Sequence, residues 1–297
     1  MNNNLFLTGQ TLADLQAKFR NPSPALAPLW RHFLLLARQN PFWCSSYSIL
    51  AFLVTGEDQY RKLARDVFLQ FTATEKEALL TWEVQFHAHT VSAPLSRLMV
   101  FYDWIADTDL LSAGERRTFE QAALDFAYVI PMQQLQGRAR SFDNQVLANC
   151  VGGAIAGYVL GVRRGDSALA RRLYAIGTDM LLDQFRRLPR TCYSGEGSTY
   201  HEQVVGPLAL LGGLFLEEVA GLPVYDRGIE PGVSLRDWYA MSVNMVGPVG
   251  LLPAWDAGGA RASVKAPLVY RARRERDPEP LALIRDADMW YPLNNAA

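Results

Sequence analysis

A chain of 297 residues that is 49% hydrophobic and 20% charged can bury a large core and is too apolar to be intrinsically disordered. Its formal net charge of -1 provides no basic field for nucleic acid or an anionic membrane surface, so an anionic ligand would have to be held by local groups. Cys44, Cys150 and Cys192 lie far apart, without a CxxC pair or a Cys/His cluster, which argues against a disulfide framework or zinc site and leaves three buried free thiols.

The N-terminus, "MNNNLFLTGQTLADL", lacks a basic stretch followed by an apolar one, so no secretory signal is visible. The expected location is the cytoplasm, or the periplasm if a leader has been removed. "SPALAPLWRHFLLLARQN" follows, with Ser23 placed to cap a helix, Pro24 at its first position and Leu26, Leu29, Trp30, Phe33 and Leu34 at helical spacing. "DQYRKLARDVFLQFTA" and "SAGERRTFEQAALDFAYVI" predict further helices with one wet face. In the second, Ser112 and Glu115 have the spacing of a capping box.

Two later segments read differently. "QVLANCVGGAIAGYVLG", Gln145 to Gly161, and "VVGPLALLGGLFL", Val204 to Leu216, are apolar nearly all round and rich in small residues, the pattern of helices buried on every side. Both are shorter than the about 18 apolar residues a membrane span needs, so no span is expected. Fully buried helices beside one-faced ones require an inner layer wrapped by an outer layer. Alternating strands and Asn-Gly or Asp-Gly hairpin turns are lacking. The prediction is an all-α protein of helical hairpins in two layers, forming a single domain over residues 1–297. Breaks are expected near "VTGEDQ", "LQGRARSFDN", "GVRRGDS", "RTCYSGEGS", "GLPVYDRGIEPGVS" and "PAWDAGGARAS".

The polar residues bordering the two apolar helices are the candidates for chemistry. "RARSFDNQ" supplies Arg138, Arg140, Asp143, Asn144 and Gln145. Ser141 or Asp143 could simply cap the following helix, but capping alone needs neither two arginines nor Asn144. "YSGEGSTYHEQ" supplies Tyr193, Glu196, Tyr200, His201 and Glu202; a polar helix entrance explains the glutamates, whereas glycine-spaced clustering of all five fits close approach of a ligand. In "WEVQFHAHT", His87 and His89 stand two apart, so on a helix they face different ways and do not share a metal. One of them can face a cleft.

"SFDNQ", then "YSGEGSTYHEQ" some fifty residues on, then "GLLPAWDAGG" together resemble the helical domain of the heparinase II/III-like and oligoalginate lyase families. The likeness spans roughly residues 80 to 260 and rests on the order and separation of the motifs. It implies an incomplete (α/α) toroid and β-elimination on a uronic-acid glycan, without a metal or other cofactor. Asn144 matches the motif asparagine, Gln145 stands where the family has histidine, Glu196 and Tyr200 match the Glu-Gly-x-x-Tyr motif, and Asp256 matches the late aspartate, beside Trp255. The family's C-terminal β-sheet domain has no room before Ala297, so this chain is expected to lack it.

The chemistry implied is consistent across these residues. Removing the proton beside a uronate carboxylate requires that carboxylate to be neutralised, here by the Asn144 and Gln145 amides with Arg140. Tyr200 would take the proton and return one to the leaving oxygen, assisted by His201 or His89. Arg138, Arg140, Glu196, His87, His89, Tyr193, Trp255 and Asp256 would contact the acidic polysaccharide. Two other classes remain open: a glycoside hydrolase on an (α/α) barrel, with Asp143 and Asp256 as its carboxylates, and a noncatalytic glycan-binding or scaffold protein.

Overall fold

The computed structural model describes residues 4–24, 26–39, 47–78, 89–138, 144–165, 167–188, 205–230, 233–245 and 265–277. The protein is all-α. Eleven α-helices and one π turn occur among the described residues, with one isolated bridge, Asn4 to Leu7, in place of any strand. Two compact units divide the chain, one of Met1–Met132 with Ile155–Tyr174 and the other of Gln133–Ala154 with Ala175–Ala297.

The first unit begins with α1 (Gly9–Arg20), α2 (Ala27–Gln39), α3 (Tyr47–Thr55) and α4 (Asp58–Ala78). α1 is capped by Thr8, whose hydroxyl oxygen accepts from the Thr11 N–H at 3.0 Å. The chain turns at Ser23, whose carbonyl accepts from Leu26 and Ala27 N–H, and regular α2 starts at Ala27, three residues after the expected Pro24. Short, apolar α3 packs against α1, α2 and α4, burying Ala37, Ala51 and Tyr60 under Phe33, Leu34, Phe52 and Leu63. Arg38 lies over the Tyr60 ring and donates to its hydroxyl at 3.0 Å. Gly56, at φ 70°, makes the break between α3 and α4 in the expected "VTGEDQ".

Helices α5 (His89–Ile105) and α6 (Ala113–Arg138) follow. The predicted capping box opens α6: Ser112 N–H donates to Glu115 Oε2 at 2.9 Å and Glu115 N–H donates to Ser112 Oγ at 3.3 Å. The periodic apolar residues of α4, α5 and α6 converge on Phe119, whose ring is edge-on to Phe68 at 4.9 Å and Phe71 at 5.6 Å and tilted against Tyr102 at 4.9 Å. Such aromatic pairs add about 0.5–1.5 kcal/mol each beyond simple area burial.

The first apolar run forms α7 (Asn144–Tyr158), continued by a π turn, Val159–Arg163. It is followed by α8 (Ala168–Arg186). Small residues let the backbones of these helices touch. In the first unit a Cβ added to Gly157 would lie 2.3 Å from the Tyr174 nitrogen, a distance only displacement of the backbone could relieve. In the second unit Gly177 meets Gly153 and Ala154 in the same way. The stretch Asn144–Arg163 is long and apolar enough to cross a bilayer, and 83% of its most apolar window is buried within the protein.

The second apolar run forms α9 (Gly206–Ala220). Its Gly212 fits among Val151, Leu181 and Phe185, and its Gly213 among Leu235, Phe185 and Val224. Gly221 ends the helix at φ 65°, its N–H bonded to Glu217 O and the Leu222 N–H to Leu216 O, a left-handed cap that suits glycine. Residues 221–230 and 233–234 lie in the expected break before α10 (Leu235–Met245), and α11 (Lys265–Glu275) packs on α9 and α10. Tyr239 on α10 anchors the start of α9 by donating to Gly206 O at 2.7 Å.

Candidate functional site

Asn144 is the first residue of α7 and is 7% exposed. A short amide at a helix start is locally favoured, because amides of the first turn lack intrahelical acceptors and asparagine competes well for them. The positive end of the helix dipole lies at the same place, and no acidic residue occupies the first turn. Gln145 beside it is half-buried. The next residues, Val146, Leu147, Ala148, Cys150 and Val151, are buried, so α7 is fixed by packing from its first turn. Cys150 is buried and outside any disulfide, as its spacing predicted.

Two other predicted residues fall on described backbone: Arg138 closes α6 and His89 opens α5. His87, Arg140, Asp143, Tyr193, Glu196, Tyr200, His201, Trp255 and Asp256 lie outside the described residues, as do Cys44 and Cys192. Asn144 and Gln145 are thus the predicted pair whose helix position and burial the structure defines.

Gln184 on α8 has no signal in the sequence that would single it out. It is 1% exposed and its Oε1 finds no hydrogen-bond partner among the described residues. It lies seven residues, two helical turns, beyond Gly177 and on the same face, the face that meets α7 at Gly153 and Ala154. Gly177 meets Gly153 and Ala154, and four residues on Leu181 meets Gly212 together with Val151, so the two helices run antiparallel here. A buried amide oxygen without a donor costs about 1–3 kcal/mol.

Among the described tyrosines, Tyr102 and Tyr225 are strongly perturbed in the direction opposite to what a base needs. Burial, reinforced by a hydrogen bond to Glu120, raises the Tyr102 hydroxyl far above its usual value. Burial together with the Glu275 carboxylate, which accepts from the Tyr225 hydroxyl at 3.1 Å, does the same for Tyr225. Both stay protonated and act as structural donors. Among the described residues no group of three or more His, Cys, Asp and Glu side chains is placed to hold a metal ion.

No protein-family model and no curated protein matches the chain.

Proposed function

We propose that the protein is a polysaccharide lyase, or the helical domain of one, that cleaves a uronic-acid glycan by β-elimination on an incomplete (α/α) toroid. The observation that carries the proposal is Asn144: the asparagine of the lyase-like motif is the buried first residue of an apolar, fully packed helix. There a neutral amide, backed by the positive end of the helix dipole, suits the stabilisation of a developing enolate-like charge. The all-α fold agrees with the helical domain that the motifs resemble.

In the proposed reaction the Asn144 and Gln145 amides and Arg140 neutralise the substrate carboxylate. Tyr200 removes the proton beside it, the electron pair forms the new double bond, and the 4-linked oxygen leaves with a proton returned by the tyrosine. Tyr102 and Tyr225, held protonated, do not compete for this role. Gln145 retains the hydrogen-bonding capacity of the family's histidine but not its proton transfer.

The test is incubation with alginate, heparan sulfate and hyaluronan while following the ultraviolet absorbance of the conjugated double bond. Elimination raises absorbance, and Tyr200→Phe lowers kcat by about 10²- to 10⁴-fold with folding intact. Gln145→Ala impairs turnover more than Gln145→His does. Reducing ends released without absorbance would assign a hydrolase instead, and glycan binding without either product would assign a noncatalytic binding protein.

A further inference from the structure

Asp103 on α5 joins two segments far apart in the sequence. Its side chain is 0% exposed. Oδ2 accepts the Leu5 N–H at 2.7 Å, and Oδ1 accepts Arg163 Nε at 2.9 Å and Arg164 Nε at 2.8 Å. Arg164 reaches further, donating from Nη2 to the Asp103 carbonyl at 2.7 Å and to Asn4 Oδ1 at 3.0 Å, and from Nη1 to Asp107 Oδ1 at 2.7 Å. Next to Asp103, Trp104 Nε1 donates to the Leu5 carbonyl at 2.6 Å.

Neither joined segment has a conformation that its own residues favour. Asn4 and Leu7 exchange backbone hydrogen bonds of 3.0 Å across a turn that places Phe6 at φ 62°, a left-handed conformation a phenylalanine keeps only when its surroundings impose it. Leu5 and Leu7 are buried. At the other end, adjacent residues on an α-helix diverge by about 100°, which separates neighbouring side chains. The π turn Val159–Arg163, with Arg164 N–H bonded to Val159 O at 2.9 Å, interrupts that geometry, and both guanidinium groups reach one carboxylate oxygen.

We propose that Asp103 makes the N-terminal segment Asn4–Leu7 and the π turn one latch, which opens and closes as a unit. If the π turn opened alone, a buried carboxylate would lose both cations that compensate it. If the N-terminal segment opened alone, Asp103 Oδ2 would lose its backbone donor and Arg164 would lose Asn4. Each half-open state is therefore less stable than concerted opening, and linkage makes the coupling reciprocal. The latch gives the beginning of the chain control over the end of α7.

Amide hydrogen exchange on the full chain, read by NMR at Leu5, Leu7 and Arg164, tests the coupling. Trp104→Phe removes the donor to the Leu5 carbonyl without touching either arginine. Exchange at Leu5 and Leu7 should accelerate roughly five- to tenfold, about the worth of one net hydrogen bond, and the Arg164 amide should accelerate by a similar factor. Arg163→Ala should produce the reverse effect, loosening Leu5 and Leu7 along with Arg164. Acceleration confined to the altered end in either variant, or at neither end, would overturn the latch. Asp103→Asn preserves shape while removing the charge and should accelerate all three amides together; should that variant fail to fold, the other two variants decide.

Discussion

Two of the ionic clusters among the described residues are built on opposite principles. In the first unit one wholly buried carboxylate, Asp103, collects two guanidinium groups and a backbone amide. In the second unit every charge keeps partial contact with solvent: Arg274 binds Glu217 at 3.0 Å and Asp226 at 2.6 Å while lying over the rings of Tyr225 and Tyr270 at 5.0 and 5.8 Å. Arg236 and Arg271 extend that network through Glu275. The partly exposed groups can exchange a lost partner for water, whereas the wholly buried Asp103 carboxylate cannot. Shared membership of an ion-pair network therefore says little about how much a residue matters; the availability of a substitute partner decides it.

The largest separation between the clusters should come from Asp103→Ala, which takes from Arg163 and Arg164 the carboxylate they share and should cost about 3–5 kcal/mol in a denaturant titration. A loss below about 1 kcal/mol would place it with exposed pairs. Arg274→Ala should cost less, about 1–2 kcal/mol, much of it the stacking of its stem and guanidinium on two rings. Salt discriminates more finely. Raising the ionic strength from about 0.1 to 1 M shortens the screening length from about 10 to 3 Å, so a double-mutant cycle for Arg274 and Asp226 should shrink toward zero while one for Arg164 and Asp103 largely persists.

The smallest effect should belong to Glu115, at the surface of the first unit. The hydrogen bond from Arg65, followed by those from Ser112, lowers its carboxyl from 4.5 to about 2. A carboxylate lowered on folding stabilises the protein above its unfolded value and loses that contribution as pH falls through the folded one. The difference in Tm between the parent and Glu115→Gln should thus be constant above about pH 5 and fade as pH falls from there toward 2. A difference that grows on acidification would remove the Arg65 pairing as its cause.

Local contributions to this architecture can be read from the sequence. Ser112 and Glu115 form their capping box because both partners lie within one turn, and α7 is apolar all round because nearly every position is buried, whereas α9 departs from that expectation: Pro207, Leu211, Leu214 and Glu218 give it one partly exposed stripe. The π turn is not legible, since its anchor is a carboxylate 60 residues upstream of Arg163. Arg274 is equally silent, its partners Glu217 and Asp226 being 57 and 48 residues away. Helix α6 extends to Arg138, into the stretch read as a break from Leu135, because glycine and glutamine there tolerate helix without demanding it. At the candidate site, Asn144 and Gln145 stand out by motif, while Gln184 becomes visible only when α8 is set against α7 at Gly177. Assigning work to Tyr200, by contrast, still rests on resemblance.

The apolar stretch that starts at Asn144 has a consequence for biosynthesis. A segment this hydrophobic leaves the ribosome before α8 and α9, the helices carrying Leu181 and Gly212, have been made. For several seconds, at the usual elongation rate of about 5–20 residues per second, the nascent chain carries a sticky segment with its later packing partners missing. Factors that bind such segments, chaperones and membrane-targeting particles alike, have that interval in which to compete. Production of this protein should therefore depend on translation speed and chaperone supply more steeply than its modest net charge and ordinary composition suggest, and refolding from denaturant should be most prone to aggregation at high protein concentration.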